Sequence, residues 1–148
     1  MLRFIRVICQ AAFLAISVHS FVEIGKAGIV REGKDLSIIT FGAQVLNALD
    51  AAEELEKSDG LQIEVVDLRT LAPLDKEAIL NTVKKTNRAL VLHEASLTGG
   101  IGGEISAIIA EEAFEWLDAP VPFAPQMEDY FLPQISEIVE AARRLANY

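Results

Sequence analysis

The chain has 148 residues, 51% of them hydrophobic and 24% charged, which suits one globular domain and leaves little room for two. Its single cysteine, Cys9, excludes an internal disulfide and a cysteine-based metal cluster. Thirteen Lys and Arg against 22 Asp and Glu give a net charge of −9, the wrong sign for a nucleic-acid binder. The charge is also unevenly placed. No Lys or Arg lies between Arg88 and Arg143, a stretch that holds ten acids: Glu94, Glu104, Glu111, Glu112, Glu115, Asp118, Glu128, Asp129, Glu137 and Glu140.

Residues 1–22 differ from everything after them. Arg3 and Arg6 precede an apolar run from Val7 to Val18, interrupted by Gln10 and Ser17, with Val18-His19-Ser20 following. The outline is that of a signal peptide, or else of an extension left from a preceding segment. The run is shorter than the ~20 apolar residues that cross a membrane, so no membrane partner is expected. Residues 1–23 are therefore read as an atypical extension and residues 24–148 as the domain.

Within the domain, strand and helix signals alternate. Gly28 to Arg31 form a short strand, and Gly33-Lys34-Asp35 a turn. Leu36-Ser37-Ile38-Ile39-Thr40-Phe41 is a β-rich run that ends at Gly42. Val45, Ala48, Leu49, Ala52 and Leu55 then recur at helical spacing, and Asp59-Gly60 closes that helix. Ile63-Glu64-Val65-Val66-Asp67-Leu68 reads as a second buried strand. Asp75 caps the next helix, with Leu74 stapled against Ile79. Ala89-Leu90-Val91-Leu92 is an apolar run of the kind found in central parallel strands. The Gly-rich loop of residues 98–103 leads into a third helix carrying Ile101, Ile105, Ile108, Ile109 and Trp116. Pro120-Val121-Pro122-Phe123 is an edge-strand candidate. Pro133 opens a last helix whose inner face is Ile135, Ile138, Val139, Ala142 and Leu145. This order predicts an α/β three-layer sandwich around a mostly parallel sheet.

Chemistry-bearing residues are few. The loop Thr98-Gly99-Gly100-Ile101-Gly102-Gly103 sits where open α/β sheets bind ligands, at a strand end and a helix start. It lacks the Gly-Lys-Ser/Thr of a P-loop, and Glu104 on the first turn opposes a phosphate. Close packing or a subunit contact through Gly99, Gly100, Gly102 and Gly103 is the favoured reading, and anion or nucleotide binding the alternative. His93 and Glu94 follow the central strand, but neighbours on a strand face opposite ways, so His93 reads as structural. An ion pair from Arg69 to Asp67 or Glu94 is expected to fix the strand ends. No nucleophile, zinc or acid–base constellation is present, so no catalytic, cofactor-binding or metal residue is assigned.

The domain's wording also carries a resemblance. Ile24-Gly25-Lys26-Ala27, Val30-Arg31-Glu32-Gly33-Lys34-Asp35-Leu36, Asp67-Leu68-Arg69-Thr70-Leu71-Ala72-Pro73-Leu74-Asp75, His93-Glu94-Ala95 with Thr98-Gly99-Gly100, Glu104-Ile105, Leu117-Asp118-Ala119-Pro120 and Leu132-Pro133 run in that order. Together they resemble the C-terminal domain of the transketolase superfamily. Within it they look like the beta subunit of 2-oxo acid dehydrogenase decarboxylase components, leaning to the 2-oxoisovalerate (branched-chain) over the pyruvate type.

The resemblance implies a five-stranded, mostly parallel sheet with the first strand antiparallel. It implies an assembly domain of a cytoplasmic multienzyme complex, not catalytic alone, that contacts other decarboxylase subunits as a dimer and docks the basic binding domain of the lipoyl acyltransferase. Asp118, Tyr148, Glu111 and Glu115 are the candidate partner-binding residues, with Glu104, Glu111 and Glu115 on one stripe of the third helix. Thiamine diphosphate and magnesium belong to the full family enzyme, and none of their motifs occurs in this chain. Two departures stand out. Residues 1–22 do not resemble the family's preceding linker, and a short family segment is missing after Ala119-Pro120, where the last strand is expected.

Overall fold

A computed structural model describes residues 22–95, 99–118 and 134–147. The expected edge strand at residues 120–123, Pro133 and Tyr148 lie outside the described residues. In chain order the elements are β1 (Gly28–Arg31), β2 (Leu36–Thr40), α1 (Gln44–Asp59), β3 (Ile63–Asp67), α2 (Lys76–Thr86), β4 (Ala89–Val91), α3 (Ile101–Glu112), a 3-10 turn (Phe114–Trp116) and α4 (Ile135–Ala146).

Four described strands form one sheet in the order β1-β3-β2-β4. β2 runs parallel to both β3 and β4, and β1 runs antiparallel to β3, as expected for a mostly parallel sheet with a reversed first strand. Connections on either side of a parallel pair place one helix set on each face. Period-two alternation in β2 then sorts the core. Leu36 and Ile38 join Leu90 and Leu92 beneath α1 and α4, while Ile39 joins Val91 beneath α2 and α3.

The local stops follow from backbone chemistry. Gly42 and Gly60 take the left-handed region, with φ of 64° and 71°, at the exit of β2 and at the end of α1. Asp75 Oδ1 accepts from the Ala78 N–H at 3.1 Å and so caps α2. Its Oδ2 accepts from the Ala27 N–H at 3.0 Å, which ties the segment before β1 to the loop before α2. Leu74 packs in the same cluster as Ile79, as the staple requires. α4 starts at a capping box between Gln134 and Glu137 and is clamped onto the end of α1. There the Arg143 guanidinium donates to Asp59 through Nε at 3.1 Å and Nη2 at 2.6 Å.

The third helix is shorter than its hydrophobic spacing predicts. α3 ends at Glu112, where Ala113 takes φ −140° and is fully buried. Trp116 therefore sits on the following 3-10 turn, 44% exposed, and not on the inner face of α3.

Candidate functional site

The carboxyl ends of β2, β3 and β4 gather the loops in which the sequence places its candidate residues. His93, just beyond β4, is 7% exposed. Its Nδ1 accepts from the Ala95 N–H at 3.1 Å, and the ring lies against the first turn of α3. A Cβ on Gly102 would sit 2.1 Å from His93 Nε2 and 2.5 Å from Cδ2, so the imidazole occupies the space a side chain at 102 would need. Burial pushes the His93 pKa below the usual histidine value. The imidazole fills the space between the strand end and the first turn of α3 and acts there as a packing wedge. Glu94 is exposed.

The four glycines of the loop do different work. Gly99 adopts φ 79°, Gly100 is the extended residue that precedes α3, and Gly102 is buried under His93. A Cβ at Gly99 or Gly103 would meet nothing within 4 Å. Residues 96–98 lie outside the described residues.

Arg69 does not form the expected ion pair with Asp67 or Glu94 among the described residues. β3 ends at Asp67 and Arg69 takes φ 56°, so the alternation that would bring the two side chains to one face stops before Arg69. Asp67 Oδ1 instead accepts the Arg69 backbone N–H at 3.0 Å. The Arg69 guanidinium lies over Gly28, where a Cβ would come within 2.3 Å of Nη2. Glycine at the start of β1 is what admits that side chain.

Asp118, a predicted partner-binding residue, is anchored inside the chain. Its carboxylate pairs with Arg88 at 3.5 Å, and its N–H donates to Asn87 O at 2.9 Å, both in the α2–β4 connection. Glu111, Glu112 and Glu115 are exposed, and no ion pair among the described residues involves them. The single stripe of Glu104, Glu111 and Glu115 is not maintained, because Glu115 lies on the 3-10 turn past the end of α3. The turn also presents Phe114, 72% exposed, beside Trp116.

A polar network at the opposite, amino-terminal ends of the strands was not anticipated. Glu64, in β3, is fully buried and accepts from the Thr82 hydroxyl and the Lys85 ammonium. Lys85 also binds Glu32 at 2.6 Å, and the Ser37 hydroxyl lies 2.6 Å from Thr82 Oγ1 and 2.7 Å from Thr86 Oγ1. The partners hold the Lys85 pKa above its ordinary value, chiefly through the hydrogen bonds that the ammonium donates to Glu32 and Glu64. A charge this deep persists only when paired. The signal was visible as a glutamate inside a buried apolar strand, though its partners come from α2.

Among the described residues no three His, Cys, Asp or Glu side chains are grouped to hold a metal ion. Glu104 in the first turn of α3 opposes an anion at that helix start. No helix among them is long and apolar enough to cross a membrane.

A family model described as "Transketolase, C-terminal domain" matches residues 25–138. The pyruvate dehydrogenase E1 component subunit beta of Rickettsia felis is 41% identical over 137 residues, covering 86% of this chain and 42% of that protein. From Bacillus subtilis (strain 168), the pyruvate dehydrogenase E1 beta subunit and the 2-oxoisovalerate dehydrogenase beta subunit are each 45% identical, again with 86% and 42% coverage. The chain thus spans about two-fifths of the length of these relatives. Among solved structures, a split gene transketolase described as an inactive beta4 tetramer superposes with TM-score 0.75 at 25% identity, covering 88% of this chain and 44% of that one.

Proposed function

The chain belongs to the transketolase C-terminal domain family, and from that premise we propose that it is the assembly and docking domain of a thiamine-dependent 2-oxo acid dehydrogenase beta subunit. Residues 24–148 would form the domain and residues 1–23 an extension to it. The parent reaction is the oxidative decarboxylation of a 2-oxo acid, of the branched-chain or pyruvate type, with acyl transfer to a lipoyl group. The observation that carries the reading is identity of 41–45% across almost the whole domain to beta subunits of that class. Equal identity to the pyruvate and 2-oxoisovalerate chains of one organism favours neither substrate.

In this reading the chain's own residues position partners and perform no bond-making step. The His93–Gly102 wedge fixes α3 on the sheet, and the Arg88–Asp118 pair fixes the segment after it. Both hold an acidic, exposed surface in one shape. Glu111 and Glu115 on that surface, with Asp118 and Tyr148, are proposed to receive the basic binding domain of the lipoyl acyltransferase, with a second copy and the other decarboxylase subunit completing the assembly. Thiamine diphosphate and magnesium would bind to the parts of the enzyme outside this chain, in a cytoplasmic complex. Electrostatic docking of this kind is strong at low ionic strength and screened by salt. A pull-down of the full chain on the acyltransferase binding domain tests it: retention that declines with salt is expected, and none even at low ionic strength refutes docking.

A further inference from the structure

The 3-10 turn after α3 is the most conspicuous part of the described surface that the family reading leaves unused. Exposed side chains of this size are usually scattered singly on a protein surface. Here Phe114, 72% exposed, and Trp116, 44% exposed, stand two residues apart in a single turn. Aromatic groups in such positions dominate docking energetics because each hides a large apolar area at little cost in rotamer entropy.

The turn is held before any partner arrives. Ala113 beneath it is fully buried, and its N–H donates to Ile109 O at 2.8 Å. Trp116 N donates to Ala113 O at 3.0 Å, and Leu117 N to Phe114 O at 3.2 Å. The next residue, Asp118, is tied to Asn87 and Arg88, and Leu117 packs into the core cluster beneath α2 and α3. A pre-formed backbone lowers the ordering cost of binding.

The surrounding charge selects the occupant. Glu111, Glu112 and Glu115 flank the aromatics, are exposed, and take part in no ion pair among the described residues. Asp118 is partly neutralised by Arg88, and exposed Lys84 stands at the neighbouring end of α2, but the α3 side of the rim carries no cation, because no Lys or Arg occurs in the sequence between Arg88 and Arg143. A second copy of this chain, at net charge −9, meets that rim with overall repulsion. An anionic lipid surface meets it with more.

We infer that the Phe114–Trp116 turn is an aromatic anchor for a cationic, amphipathic partner segment, one that places an apolar side chain against the two rings and Lys or Arg against Glu111, Glu112 and Glu115. The inference rests on the docking reading for its setting and deepens it: the aromatic pair supplies the affinity, and the carboxylates supply approach and orientation.

Trp116 is the only tryptophan in the sequence, so its emission reports on this turn alone. The probe is a synthetic helix with Leu on one face and Lys on the other, titrated into the full chain at low ionic strength. A scrambled peptide of the same composition serves as control. The expected result is a blue shift of Trp116 emission with the amphipathic peptide, weaker binding as salt rises, and a loss of affinity of about tenfold or more in Phe114→Ser. Phe114 is exposed, so that variant keeps its fold, checked by circular dichroism. Glu111→Gln with Glu115→Gln should reduce the salt dependence. No shift, an equal shift with the scrambled peptide, or an equal affinity in Phe114→Ser overturns the inference. So does a blue shift of the chain alone on concentration, which assigns the turn to a second copy. Acyltransferase binding domain that is retained without a Trp116 shift refutes the anchor and spares the docking reading. A peptide-induced shift without retention of that domain does the reverse.

Discussion

Gly102→Ala tests whether the Gly-rich loop is a packing device. In the interior of a helix, replacing glycine with alanine ordinarily stabilises by about 0.5–1 kcal/mol. At 102 the new methyl would lie 2.1 Å from His93 Nε2 and 2.5 Å from Cδ2, more than 1 Å inside ordinary contact. The imidazole is 7% exposed and bonded to the Ala95 N–H, so it has little room to withdraw. Overpacking of this kind costs about 1–3 kcal/mol, and more where the neighbour is held. The clash offsets or outweighs the helix gain, giving a net loss of up to about 2.5 kcal/mol and a fall in Tm of up to roughly 8 °C for a domain of this size. Gly103→Ala, in the same turn with nothing within 4 Å of its Cβ, should instead gain about 0.5–1 kcal/mol. Thermal melts and urea titrations of the two variants side by side decide the matter. A Gly102→Ala protein as stable as its Gly103→Ala counterpart would refute the wedge and reopen the loop as a ligand site.

Further outcomes follow from the same contacts. Lys85→Met leaves the fully buried Glu64 without its cation and should destabilise by about 1–3 kcal/mol in urea titrations, the exposure of Lys85 lowering the cost below that of a fully buried pair, whereas a loss under about 0.5 kcal/mol would show that the pair is not needed. Asp75→Ala removes both the α2 cap and the acceptor for the Ala27 N–H, and should cost about 1–3 kcal/mol by the same measurement. The folded pKa of His93 lies below its unfolded value, so the unfolded chain binds the extra proton. Stability is therefore full above the unfolded pKa and declines as pH falls from about 7 towards 5, a slope that His93→Gln should reduce. Arg143 lowers the Asp59 pKa, so the contribution of that pair is present at neutral pH and lost in acid. The stability gap between the chain and Asp59→Asn should close below about pH 4.

The layered fold was legible because its strands are short β-rich or apolar runs and its helices carry clean apolar stripes. The β-rich run of residues 36–41 and the helical stripe through Ala48, Ala52 and Leu55 correspond to β2 and to the buried face of α1. Gly42 and Gly60 mark their ends because both take positive φ. The end of α3 was not legible. No Gly or Pro marks it, and hydrophobic spacing carried the helix on to Trp116 although Ala113 breaks it. The Arg69 ion pair failed for a related reason, since same-face reasoning needs a continuing strand and the backbone turns to positive φ at Arg69. The Gly102–His93 contact and the Glu64–Lys85 network are long-range contacts, which local pattern does not report.

The central claim is that this domain receives a basic partner. Isothermal titration of the full chain with the lipoyl acyltransferase binding domain, repeated at low and high ionic strength, tests it most directly. The account predicts saturable binding whose affinity falls as salt rises and falls again in Glu111→Gln with Glu115→Gln. Absence of heat at low ionic strength, or binding indifferent to both salt and those carboxylates, would contradict it.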